Sequence, residues 1–193
     1  MVLEVKNINK VYNGKEILSN VSQVFEAGKI YCLMGPSGQG KTTFLRILAG
    51  LEAPDAGVVE GIDGLPMSGV FQEDRLCEPV DAVRNVAMVC RRKDAAVWAR
   101  GLLLQVLPED SLSKPVSALS GGMRRRVAII RALAADSEFI FMDEPFTGLD
   151  ADTKAKVIQC ILRNRNGRTL LVVTHQAEDA AALGAEILTL EPV

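Results

Sequence analysis

Apolar residues along this chain fall into two spacings. Continuous runs of four to six, at residues 30–34, 139–142 and 169–174, are rich in branched and aromatic side chains. Runs of that length predict strands buried on both faces, as in a parallel sheet. Between them, apolar positions recur every three or four residues, as at Val127, Ile130 and Leu133, and predict helices over 41–49, 151–164 and 176–183. A longer helical stretch is predicted from 80 to about 107, with Val83, Val86 and Ala87 on one face and Val97, Leu104 and Leu107 on another. Two short segments, 69–72 and 187–190, complete the strands. The first thirty residues read differently. Leu3, Val5 and residues 10–12 lead to Asn13-Gly14, a hairpin-turn signal, and residues 21–25 return as a strand closed by Ala27-Gly28. The pattern is α/β, with a mainly parallel sheet behind a small N-terminal antiparallel unit.

Composition narrows this without changing it. At 193 residues, with 48% hydrophobic content, the chain suits one core. No run approaches the roughly 18 uncharged apolar residues of a spanning helix. The first residues lack a basic segment followed by an apolar run, so no signal peptide is expected, and a cytosolic location is. The net charge of −2 gives no electrostatic footprint for nucleic acid. Cys32, Cys77, Cys90 and Cys160 form no C-x-x-C pair, which argues against zinc or a disulfide framework, and most are expected to be core or near-core thiols.

The chemistry concentrates at strand ends. Gly35-Pro36-Ser37-Gly38-Gln39-Gly40-Lys41-Thr42-Thr43 follows a predicted strand and opens a helix. Glycines there let backbone N–H groups close on phosphate oxygens, and the helix start adds its positive end. Lys41 is the residue to reach the β- and γ-phosphates, and Thr42 the magnesium. Asp143 ends the strand at 139–142 and is a candidate magnesium ligand; Glu144, next to it, is the candidate to polarise a water. About eighty residues beyond the loop, Leu119-Ser120-Gly121-Gly122-Met123 forms a second glycine-rich junction in which Ser120 would cap a helix and expose N–H groups to an anion. By itself that junction is equally well an ordinary loop-to-helix turn. His175, the one histidine, follows the apolar strand at 169–174.

In this order Tyr12, the phosphate loop, Gln72, Leu119-Ser120-Gly121-Gly122, Asp143-Glu144, Thr147-Gly148-Leu149-Asp150 and His175 resemble the ATP-binding subunit of an ATP-binding-cassette (ABC) transporter over nearly the whole chain. The resemblance implies a P-loop NTPase (RecA-like) core of residues 30–53 and 120–193, an antiparallel β subdomain of 1–29 and 54–68, and a helical insertion of 73–119, within one domain. It implies ATP and magnesium as cofactors. Tyr12 would stack on adenine and Gln72 would touch magnesium and the water, linking the site to a membrane partner. His175 would sense the γ-phosphate, and Asp150 would lie at a subunit interface. Expected partners are a second copy of the chain or a homologous ATPase subunit, integral membrane permease subunits and a solute-binding protein, with the cassette peripheral on the cytoplasmic face of the membrane. Two copies would pair head to tail, each Ser120-Gly121-Gly122 segment covering ATP held by the other chain. A separate small cassette is closer to prokaryotic importers than to fused exporters.

Two departures from the family pattern stand out. Met123 occupies the usual glutamine position, and the stretch from 54 to 72 is short, which predicts a trimmed antiparallel subdomain. Arg91, Arg92 and Lys93 read as a solvated helix end, and Trp98 as a core anchor. Other readings stay open from sequence: an ATPase of this type that regulates a membrane complex without transport, and a nucleotide-dependent interaction module that never hydrolyses.

Overall fold

In the computed structural model, which describes residues 2–191, the chain begins as a hairpin. Strand β1 (Val2–Tyr12) turns at Asn13-Gly14 and returns as β2 (Lys15–Glu26). Asn13 and Gly14 have φ of 50° and 79°, the left-handed conformation that a two-residue hairpin turn requires. The pairing runs well beyond residues 21–25, because Leu18 alternates inward with Phe25 on the same buried face. A further strand, β4 (Ala56–Glu60), pairs with the other edge of β1, giving an antiparallel order β2-β1-β4.

The second sheet is parallel throughout. Its strands, β3 (Ile30–Met34), β5 (Met67–Val70), β6 (Phe139–Asp143), β7 (Thr169–Val173) and β8 (Glu186–Thr189), lie in the order β5-β6-β7-β3-β8. Its residues alternate between two cores. Cys32, Ile140, Met142, Leu170 and Val172 face the cluster built with helices α2 (Ala82–Ala87), α3 (Ala95–Leu103), α4 (Gly121–Ala134), α5 (Ala151–Asn164) and α6 (Ala177–Leu183). Tyr31, Leu33, Phe139, Phe141, Leu171 and Val173 face the opposite cluster. There they meet α1 (Lys41–Leu48) and the inward residues Leu3, Val5, Ile8, Leu18 and Phe25 of the small sheet. The unbroken apolar runs are thus explained: every residue of β6 and β7 is buried, on one side or the other.

Three details differ from the sequence pattern. β5 starts two residues early and ends at Val70, leaving Phe71 and Gln72 beyond it. Its register puts Gly69 opposite Phe141, whose ring would lie 2.0 Å from a Cβ at that position, so only glycine fits. The helical stretch from 80 to 107 breaks into α2 and α3 around the charged residues 91–94. Within it Val97 and Leu104 are exposed, and the buried face of α3 is instead Ala99, Leu102 and Leu103. Arg91, Arg92 and Lys93 are solvated, and Trp98 packs against the helical core with the Arg92 guanidinium 5.0 Å from its ring centre. Cys32 and Cys160 are core thiols and Cys90 packs half-buried against the helical core, as expected of most of the four, while Cys77 is exposed. Burial pushes the Cys32 thiol up to about 12.

Candidate functional site

Four loops leave the parallel sheet at the carboxyl ends of its strands, side by side. Gln72 lies just past β5, Asp143-Glu144 at the end of β6, Thr174-His175 after β7, and the glycine loop after β3. This edge is where open α/β sheets bind ligands. A cleft of about 370 Å³ opens there, walled by Tyr12, Ile17, Ser37, Gly38, Gly40, Lys41, Thr42, Thr43, Gln72, Asp143, Glu144 and Val173.

The glycine loop is shaped by its neighbours. Gly40 has φ 81°, and a Cβ there would come within 2.7 Å of the Ile17 carbonyl oxygen. It precedes α1 with no side-chain cap, so the first N–H groups of the helix stay available to an anion. Lys41 is buried, and its Nζ donates to the carbonyl oxygens of Gly35 and Pro36, both at 2.7 Å. The ammonium is therefore held inside the curve of the loop, where an incoming phosphate would replace carbonyl partners. The Gln39 side chain turns away, with Nε2 donating to the Leu190 carbonyl at 2.8 Å; only its backbone remains for phosphate.

Across the cleft Thr42 Oγ1 donates to Asp143 Oδ2 at 2.9 Å. Asp143 is 2% exposed. Burial holds its carboxyl above the usual range and the adjacent Glu144 adds to this, opposed by the Thr42 hydrogen bond and by Arg125 and Lys41. A buried carboxylate beside a hydroxyl, with the Gln72 amide on the same cleft, is a hard-oxygen set that suits magnesium, which takes few protein ligands and shares phosphate oxygens. Glu144 sits at φ 48°, held there by its N–H donating to the Val173 carbonyl at 2.9 Å. That turn sends its carboxylate to His175, whose Nδ1 lies 3.2 and 3.1 Å from its two oxygens. Both side chains remain partly open to solvent.

Tyr12 is 41% exposed at the cleft mouth. Its hydroxyl donates to Glu52, an acid that sequence reasoning passed over. Glu52 also pairs with Lys10 at 3.4 Å and Arg46 at 3.6 Å, and Lys10 lies 5.4 Å from the centre of the Tyr12 ring. Hydrogen bonding to Glu52 pushes the Tyr12 hydroxyl up, followed by desolvation. The ring is thus pinned at both its hydroxyl and one face.

Ser120 caps α4 as predicted: its Oγ accepts from the Met123 N–H at 3.3 Å. Asp150 does the same for α5, accepting from the Thr153 N–H at 2.9 Å. A Cβ on Gly122 would sit 3.4 Å from Leu149 Cδ2, so the two caps form one exposed edge. That edge is separate from the cleft, whose walls include none of Ser120, Gly121, Gly122 or Asp150. A link between edge and cleft does exist, through a residue the sequence did not single out. Arg125 of α4 is buried, and its guanidinium donates to the carbonyls of Phe71 (2.5 Å) and Gln72 (3.0 Å) and pairs with Asp74 at 3.2 Å. Arg131 adds a bond to the Asp74 carbonyl at 3.1 Å. The Gln72 loop is fastened to the helix that Ser120 caps.

One consequence is testable without nucleotide. Asp143 carries a buried charge next to another acid, so Asp143→Asn removes an unfavourable ionisation while still accepting from Thr42. In nucleotide-free, magnesium-free protein we expect a higher melting temperature near neutral pH, by about 2–4 °C for each kcal/mol relieved. A raised folded-state pKa penalises the native state only above the unfolded carboxylate range, so the gain should shrink as pH falls and Asp143 protonates. A thermal-shift series against pH reads this directly; a melting temperature lower than wild type at neutral pH contradicts it.

Comparisons with known proteins identify the family and its fold. Residues 18–147 match the family described as ABC transporter. The chain is 36% identical over 205 residues to the taurine import ATP-binding protein of Yersinia pestis bv. Antiqua (strain Antiqua), covering 99% of this chain and 80% of that one. It is 38% identical over 196 residues to the aliphatic sulfonates import ATP-binding protein of Corynebacterium glutamicum, covering 97% and 79%. A solved dimeric structure of an ATP-binding cassette, in a post-hydrolysis state bound to ADP and Pi, superposes with a TM-score of 0.85 at 30% identity, covering 98% of this chain and 94% of that one.

Proposed function

The chain belongs to the ABC transporter family, and from that premise we propose residue roles for the ATP-hydrolysing, transport-coupled subunit that it is. The observation that carries the reading is the placing of two unlike half-sites: a complete phosphate cleft on one edge, and the Ser120-Gly121-Gly122 cap outside it. A head-to-tail pair of chains puts each cap over the ATP held in the other's cleft. Backbone N–H groups from Gly35 to Thr43, the phosphate-binding loop, would take the phosphates. Lys41 Nζ exchanges its carbonyl partners for β- and γ-phosphate oxygens, and the Tyr12 ring, steadied by Glu52, stacks on the base.

Thr42, Asp143 and Gln72 would hold magnesium, which supplies positive charge to the phosphates when bound. Glu144 accepts a proton from water as the water oxygen attacks the γ-phosphorus and the bridging oxygen leaves with ADP. His175, in contact with Glu144, keeps that carboxylate and the γ-phosphate in one geometry. Hydrolysis removes the charge that joins the two chains, and the pair opens. The Gln72 loop and the helices of residues 77–104 would carry that movement to permease subunits.

No helix among the described residues is long and apolar enough to cross a membrane. As a relative of import ATP-binding subunits, the chain would take its place through the permease, on the cytoplasmic face. Relatives named for taurine and aliphatic sulfonate import favour a small sulfonate as cargo, delivered by a solute-binding protein. Reconstituted in lipid nanodiscs with its permease subunits, the cassette should hydrolyse ATP several-fold faster when taurine-loaded binding protein is added. Hydrolysis indifferent to the permease would remove the transport reading. Stimulation by some other loaded binding protein would remove only the sulfonate assignment.

A further inference from the structure

His175 is held in place from behind by groups that never reach the cleft. Asp179, in the first turn of α6, is 2% exposed, a depth at which a carboxylate needs partners. One oxygen accepts from Thr174 Oγ1 at 2.7 Å, and the other pairs with Lys154 Nζ at 2.8 Å. Lys154 also donates to Gln176 Oε1 at 2.5 Å, and the Gln176 N–H donates to Thr174 Oγ1 at 3.2 Å. Both residues flanking His175 are thus tied into one part-buried knot, while its own ring is exposed and touches only Glu144 in this network. Lys154 belongs to the first turn of α5, and its N–H donates to the carbonyl of Asp150 at 2.9 Å. The knot therefore joins His175 to the exposed edge shared by Asp150 and Ser120.

We propose that Asp179 and Lys154 are positioning residues that fix His175 against Glu144 and tie its placement to the Asp150 edge. The inference rests on the role given to His175 above. A loop between a strand and a seven-residue helix has few contacts of its own to fix an exposed ring. Displacing a reacting group by about 1 Å can cost on the order of 100-fold in rate.

The single histidine makes the test direct, because the imidazole ring signals in the NMR spectrum of the full chain come from one residue. With an otherwise native chain, Glu144→Gln should shift those signals. In Asp179→Asn or Lys154→Met chains the ring is already released, so adding Glu144→Gln should shift them little further. Lys154→Arg, which keeps the cation, should preserve the wild-type response. In parallel, kcat for ATP hydrolysis should fall about 10–100-fold in the Asp179→Asn and Lys154→Met chains with KM little changed. A bond that merely pins α6 to α5 leaves the Glu144→Gln shift at full size in both backgrounds, and that result overturns the proposal. Should Asp179→Asn fail to fold, the partly exposed Lys154 position carries the test alone. A chain that shows the NMR pattern yet hydrolyses no ATP in any form would refute the ATPase mechanism and leave the positioning intact.

Discussion

Glu144→Gln is expected to bind ATP with magnesium as tightly as the native chain and to hydrolyse it about 10²–10⁴-fold more slowly. The amide preserves the size of the side chain, its contact with the His175 ring and the backbone turn at φ 48°. It loses only the capacity to take a proton from water. With hydrolysis stalled, the charge that bridges two chains stays in place, so size-exclusion chromatography in ATP and magnesium should show a dimer that the native chain forms only briefly. A variant that remains monomeric at saturating nucleotide would rule out the sandwich. Normal hydrolysis by this variant would move the base elsewhere, and the cleft offers no second acid besides the buried Asp143.

Lys41→Ala should weaken ATP binding by about 10–100-fold, the loss of charge-assisted bonds to phosphate. Ser120→Arg should leave nucleotide binding by the single chain unchanged, because Ser120 is outside the cleft, and should block closure over a partner's ATP. Each variant alone is therefore expected to be nearly inactive. Mixed, they form some dimers with one doubly damaged site and one intact site, Lys41 from one chain facing Ser120 from the other. ATPase activity of the mixture should exceed the sum of the separate chains and peak near equal amounts. A flat mixing curve would overturn a shared site able to fire alone.

The parts that were legible in the sequence are those whose geometry is local. The glycine loop could be read because strand, turn and helix follow one another directly between residues 30 and 48 and the turn tolerates little else. The Ser120 and Asp150 caps lie within three residues of the N–H groups they satisfy. The uninterrupted runs of β6 and β7 announced burial on two faces. The helical insertion was harder, since several arrangements of its apolar residues give a plausible face; Val97 and Leu104 suited one and proved exposed. Glu52, Arg125, Asp179 and Lys154 left no local trace. The partners that place them at the site, Tyr12 for Glu52, Phe71 and Gln72 for Arg125, and Lys154 and Asp179 for each other, lie 40, 53 or 54, and 25 residues away in sequence, and a charged residue looks alike in a sequence whether it meets water or a buried carbonyl. Only tertiary placement separates them.

The hold of Arg125 on the carbonyls of Phe71 and Gln72 bears on how two such sites must behave together. In a head-to-tail pair, the Gln72 loop would touch a chain's own nucleotide while the start of α4 would touch its neighbour's, and the Arg125 guanidinium bonds the two segments together. Whatever free energy the first ATP spends in seating them is already in place for the second. Linkage is reciprocal: the factor by which the first occupancy tightens the second equals the factor by which the second tightens the first. Cooperative filling of the pair would then be a property of a single buried arginine, and its strength a measure of how stiff that arginine's anchorage is.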